Sequence, residues 1–218
     1  MEFREHNIKV TKTAQYYTKG ESIETCKYLW IMCHGYGMLA ENILSKMSWA
    51  NKDHFMVSVE GLSKFYWEGM RQKPVASWMT KKNRLSEIED FSNFLSAIHT
   101  KYKHQILSDT KIILFGFSQG GTTVWRWLHH ANVEFDVFIN YAGWVPEDII
   151  FTPEQVQTWN SKELYMLYGD NDVYLTEDRK TALRDVVSKH GLKLNYKMFQ
   201  GEHRIYSKIL EDTFNTIY

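Results

Sequence analysis

The chain has 218 residues, 44% of them hydrophobic. At that length roughly 70% of the unfolded surface can be buried, enough for one sizeable core and a single domain spanning residues 1–218. Lys plus Arg and Asp plus Glu both total 26, so zero formal charge gives no electrostatic reason to expect nucleic acid or an anionic membrane surface as partner. No apolar run approaches the length of a bilayer, and Met1-Glu2-Phe3-Arg4-Glu5-His6 lacks an apolar signal core, so neither integral membrane association nor export is expected.

In chain order, Asn7 to Tyr17 reads as an antiparallel edge strand. Lys27 to Cys33 follows as an apolar strand; the odd spacing of Cys26 and Cys33 sends their side chains to opposite faces, which argues against a disulfide. Reduced thiols fit a cytoplasmic setting. Phe55 to Val59 is a second apolar run, and Ser63 to Lys82 is a long irregular stretch. Leu85, Ile88, Phe91, Phe94, Leu95 and Ile98 recur at three- and four-residue steps, which predicts an amphipathic helix that Asn83 could cap. Lys111 to Phe117, Val137 to Tyr141, Leu164 to Tyr168 and Lys193 to Phe199 are further strand candidates, and helices are predicted over Gln119 to His130, Glu177 to His190 and Ser207 to Phe214. Strands that are apolar nearly throughout, alternating with helices, imply an α/β fold: a mostly parallel central sheet with helices on both faces.

Gly116-Phe117-Ser118-Gln119-Gly120 has the form G-x-S-x-G, with an apolar strand before it and a helix after it. Such a nucleophile elbow holds the serine on a strained turn at the carboxyl end of a sheet. A serine hydroxyl is a weak nucleophile, so it needs an imidazole to take its proton and a carboxylate to orient that imidazole. In this fold the order is Ser, Asp or Glu, His, which leaves His190 and His203. His190 precedes Gly191 at a helix end, where the dipole explains a histidine; His129 and His130 lie roughly 16 Å along the helix from Ser118. His203 follows the last strand and is the better base. Two carboxylates, Asp170 and Asp172, follow the preceding strand; Asp170, beside Gly169 and Asn171, has a sufficient explanation as a turn residue, so Asp172 is preferred. The oxyanion of a tetrahedral intermediate would be held by backbone N–H groups of Gln119 and of Tyr36, the latter in His34-Gly35-Tyr36-Gly37 after the first apolar strand. His34 itself reads as a structural residue.

These residues resemble the phospholipase/carboxylesterase family of α/β-hydrolases, which includes the acyl-protein thioesterases. The likeness runs from about Tyr28 to His203 and rests on His34-Gly35-Tyr36-Gly37, Ser77-Trp78, Gly116-Phe117-Ser118-Gln119-Gly120-Gly121, Asp172 and His203. It implies a fold with little or no cap domain and hydrolysis of carboxylic ester or thioester bonds, and it supports Asp172 over Asp170 and Tyr36 with Gln119 as oxyanion donors. Met38 follows Gly37 where thioesterase members usually carry Asp, a departure that bears on deacylation of proteins and leaves ester hydrolysis untouched.

Trp78, Trp144 and Tyr174 fall in loops that should border the site, and their rings could line an apolar substrate pocket. The histidines and cysteines show no metal-ligand spacing, and the Gly-rich turns lack the Lys of a phosphate loop, so neither metal nor cofactor is expected. The leading expectation is two-step hydrolysis of short- or medium-chain small-molecule esters. The rivals are thioesters or lysophospholipids, acyl transfer to another nucleophile and, from another class, a non-catalytic binding protein on a hydrolase scaffold.

Overall fold

The computed structural model describes residues 2–69 and 72–218. In chain order its elements are β1 (Tyr16–Lys19), β2 (Tyr28–Cys33), α1 (Ala40–Leu44), β3 (His54–Val59), β4 (Ser63–Tyr66), β5 (Pro74–Ser77), α2 (Arg84–Lys103) and β6 (Lys111–Phe117). There follow α3 (Gln119–His130), β7 (Val137–Tyr141), α4 (Pro153–Trp159), β8 (Glu163–Gly169), α5 (Glu177–His190), β9 (Asn195–Phe199) and α6 (Ser207–Ile217). Among the described residues seven strands form one sheet in the order β1-β3-β2-β6-β7-β8-β9, in which only the β1–β3 pairing is antiparallel.

The residues of β2, β6 and β7 explain why this sheet is central. Leu29 to Cys33, Ile112 to Phe117 and Val137 to Tyr141 are buried at every position. Successive side chains point to opposite faces, so a strand buried throughout must be covered on both. Trp30, Ile113 and Val137 share one face by register, and Phe214 of α6 packs there against Trp30 at 5.9 Å between rings. Ile31, Leu114 and Phe138 share the other, where Trp125 of α3 meets Phe138 edge-on at 5.0 Å. This is the α/β-hydrolase arrangement, and the described residues form no large cap domain.

Several expectations shift. The antiparallel edge strand is Tyr16–Lys19 rather than Asn7 to Tyr17; residues 7–15 carry no regular structure, and pairing with β3 starts at Tyr16↔Val59. Asn83 does not cap α2 through its side chain: its backbone is left-handed (φ 55°), and its contribution is a carbonyl accepting the Glu87 N–H. Leu85 is 80% exposed, so the core-facing stripe of α2 starts with the partly buried Ile88 and reaches full burial at Phe91. The irregular stretch holds a two-stranded hairpin, β4 with β5, whose connection includes residues 70–71, outside the described residues. Cys26 and Cys33 are both free and buried. Among the described residues no helix is long and apolar enough to cross a membrane.

Candidate active site

Parallel register puts three strand ends together. Phe117 pairs with Tyr141, and Gly169 pairs with Phe199, so Ser118, the loop after β8 and the loop after β9 all emerge at the carboxyl edge of the sheet. Ser118 sits at φ 53° and ψ −117°, a conformation costly for a residue with a side chain. Its N–H donates to the Tyr141 carbonyl at 2.9 Å, and its carbonyl accepts the Gly121 N–H. The flanking glycines are forced by contact: a Cβ on Gly116 would lie 2.5 Å from the Gly120 oxygen, and one on Gly120 would lie 2.2 Å from the Cys33 oxygen.

The loops after β8 and β9 are stitched backbone to backbone. The Asp170 N–H donates to the Phe199 carbonyl and the Asn171 N–H to the Gly201 carbonyl, both at 2.9 Å. The Asp170 carboxylate accepts the Gly201 N–H at 2.9 Å. Asp170 is thus committed to the turn. Asp172 is buried, with Oδ2 2.6 Å from His203 Nδ1 and Oδ1 accepting the Tyr174 N–H at 2.9 Å. His203 Nε2 lies 2.8 Å from Ser118 Oγ. The imidazole is further fixed by rings on two sides, Phe117 at 5.1 Å and Tyr174 edge-on at 4.7 Å. The other histidines lie elsewhere: His190 ends α5 against Phe151, and His129 is hydrogen-bonded to Gln155.

His34 is fully buried. Its Nε2 accepts the Gly61 N–H at 2.9 Å, which leaves Nδ1 as donor to the Gly35 carbonyl at 2.7 Å, so the ring is neutral with one tautomer. Burial pushes its pKa down to about 4. The loop that follows carries Tyr36, whose ring is half exposed against Phe65 and Trp67 of the hairpin. Among the described residues neither the Tyr36 N–H nor the Gln119 N–H has a hydrogen-bond partner, the latter because it opens α3.

The family model for Phospholipase/Carboxylesterase matches residues 21–218. The chain belongs to that family. No curated protein matches it by sequence. Its fold is similar to acyl-protein thioesterase 2 of Zea mays, at TM-score 0.73 and 14% identity over 94% of this chain and 98% of that one. It is also similar to the Bacillus cereus carboxylesterase, at TM-score 0.67 and 13% identity over 94% and 95% of the two chains. At such identities the likeness is one of fold.

For this family member, the candidate pocket is a cavity of about 630 Å³ beside Ser118 and His203, walled by Trp144, Tyr174, Leu175 and Ala182. Trp144 and Tyr174 both line this cavity. Trp78 does not. Its ring is 1% exposed, packed edge-on against Phe91, with Nε1 donating to the His34 carbonyl at 2.8 Å; it belongs to the core. The loop carrying Trp144 is tied to α3 by residues the sequence did not single out. Thr122 exchanges two hydrogen bonds with the Trp144 backbone, and buried Arg126 pairs with Asp148 at 2.6 Å, with Arg84 joining at 2.7 Å. Burial raises the Asp148 pKa, but the two guanidiniums outweigh it and hold the carboxyl below its ordinary range. A visible signal was Arg126 within Val124-Trp125-Arg126-Trp127-Leu128, a charge in an apolar run.

Proposed function

We propose that the protein is a serine hydrolase that cleaves carboxylic esters through a covalent acyl-enzyme, with Ser118 as nucleophile, His203 as base and Asp172 as the acid that orients it. The supporting observation is the unbroken chain from Ser118 Oγ to His203 Nε2 at 2.8 Å and from His203 Nδ1 to the Asp172 carboxylate at 2.6 Å. The Asp172 contact requires a hydrogen on Nδ1, which leaves the Nε2 lone pair facing the hydroxyl.

His203 takes the Ser118 proton as Oγ bonds the ester carbonyl carbon, and the carbonyl oxygen becomes an oxyanion held by the Tyr36 and Gln119 N–H groups. Collapse expels the alcohol, which receives the proton from His203. Water, deprotonated by His203, then attacks the acyl carbon; Ser118 regains a proton and the acid leaves. Asp172 stays ionised throughout and stabilises the imidazolium formed in each step.

The cavity walled by Trp144, Tyr174, Leu175 and Ala182 suits a short- or medium-chain acyl or alcohol group. Reaction with a fluorophosphonate probe tests the assignment: stoichiometric labelling that Ser118→Ala abolishes is expected, and a folded protein that takes no label overturns it in favour of a non-catalytic binding role.

A further inference from the structure

The two proposed oxyanion donors sit on different parts of the chain, Tyr36 after β2 and Gln119 at the start of α3. Catalysis by such a pair depends on their mutual geometry, because donors aimed at the developing charge must already be in place. Trp78 touches both halves. Its indole N–H donates to the His34 carbonyl at 2.8 Å, and its backbone N–H donates to Gln119 Oε1 at 3.2 Å.

More contacts close the frame. On the Tyr36 side, the Gly37 N–H donates to the Ala76 carbonyl and the Ala76 N–H to the Met38 carbonyl, each at 3.0 Å. Residues 76–78 therefore grip the loop before and after Tyr36. On the Gln119 side, the carboxamide is held through both its oxygen and its nitrogen by residues 77–79. Oε1 also accepts the Ser77 hydroxyl at 3.3 Å, and Nε2 donates to the Met79 carbonyl at 2.9 Å. The ring of Trp78 is anchored below, 5.2 Å from the neutral His34 ring and 6.0 Å from Phe91.

We infer that Trp78 and the Gln119 carboxamide form a brace that fixes the separation and aim of the Tyr36 and Gln119 N–H groups, acting as positioning residues for the oxyanion hole. The inference rests on the hydrolase reading given above. It gives Trp78 a role without contact to substrate, and it separates two functions of Gln119: the backbone N–H meets the oxyanion, and the side chain sets where that N–H points. A segment that merely needed its polar groups satisfied would affect stability alone. A brace affects the transition state, in which the oxyanion forms, more than the ground state.

The test uses Trp78→Phe, which keeps a core ring and removes the indole donor, and Gln119→Met, which keeps the backbone N–H and the chain length. Because Gln119 is only partly buried, the second variant remains informative if the first fails to fold. With active sites counted by fluorophosphonate titration, each variant should lower kcat on a nitrophenyl ester by roughly tenfold at nearly unchanged KM; outright loss of an oxyanion donor costs about 10²- to 10³-fold. The inhibition constant of an alkyl boronic acid, whose adduct with serine places an oxygen in the oxyanion position, should rise by the same factor. Unchanged kcat per active site, or a fall in thermal stability alone, overturns the brace while leaving the hydrolase reading intact. Absence of ester turnover and of Ser118 labelling in the unaltered protein overturns that reading, and the brace with it.

Discussion

The Asp172 carboxylate lies 2.6 Å from Nδ1 of His203, across 31 residues of sequence. Asp170, two residues earlier, instead holds the N–H of Gly201. The two carboxylates of one loop thus divide the work: one faces the ring, and the other fixes the loop that presents it.

That division predicts unequal effects. Asp172→Asn should lower kcat by roughly 10⁴-fold, because an amide no longer favours the Nδ1–H tautomer or stabilises the imidazolium. Asp170→Asn, whose oxygen can still accept the Gly201 N–H, should cost no more than a few-fold. Steady-state kinetics on one ester decides the matter, and equal losses in the two variants contradict the assignment.

The pocket wall predicts a length-dependent effect. Trp144→Ala removes an indole from the cavity beside Ser118, so KM for a medium-chain ester should rise roughly tenfold, in line with about 1.5 kcal/mol of lost apolar contact. An acetate ester, too short to reach the ring, should change little. A panel of nitrophenyl esters of increasing chain length checks this, and a loss uniform across the series contradicts it.

The elbow predicts a fold-level penalty. A methyl at Gly120 would lie 2.2 Å from the Cys33 carbonyl oxygen, which is backbone and cannot rotate away. Gly120→Ala should therefore cost about 3 kcal/mol or more of stability, as other overpacked sites do. Urea unfolding measures it, and an unchanged midpoint contradicts the packing described.

Much of this site was legible because its signals are short-range. Ser118 carries strand, glycines and helix within a dozen residues, and His203 follows from where the last strand ends. Turn chemistry and family likeness favour Asp172 over Asp170, and in the loop Asp172 faces His203 while Asp170 holds the Gly201 N–H. The direction of loop side chains was not legible: Trp78 and Trp144 look alike in sequence, but one ring enters the core and the other faces the cavity. The hairpin β4–β5 escaped because its strands have four residues each and lie outside the main sheet, with a single bridge from Ala76 to Met38 beyond their own pairing among the described residues. Helix α4 escaped although Thr152 and Gln155 form a capping box ahead of it.

Acid should destabilise the fold through two buried imidazoles. Burial lowers the pKa of His34 and of His54 to about 4, from an ordinary 6.5. Between those values the unfolded chain binds protons that the folded chain does not, so stability rises with pH. It is fully present above about pH 6.5 and lost as pH falls toward about 4, by roughly 3 kcal/mol for a fully buried group. Urea midpoints at about pH 7 and about pH 4.5 should differ accordingly, and His34→Gln should reduce the difference; a flat profile contradicts the buried neutral state of these rings.

The central claim is that Ser118 carries the acyl group. Mixing the protein with excess nitrophenyl acetate and following both released nitrophenol and intact mass tests it most directly. A burst of about one equivalent with an acetyl adduct mapped to Ser118, both absent in Ser118→Ala, is the predicted result. Turnover that survives intact in Ser118→Ala, or an adduct on another residue during turnover, would contradict it.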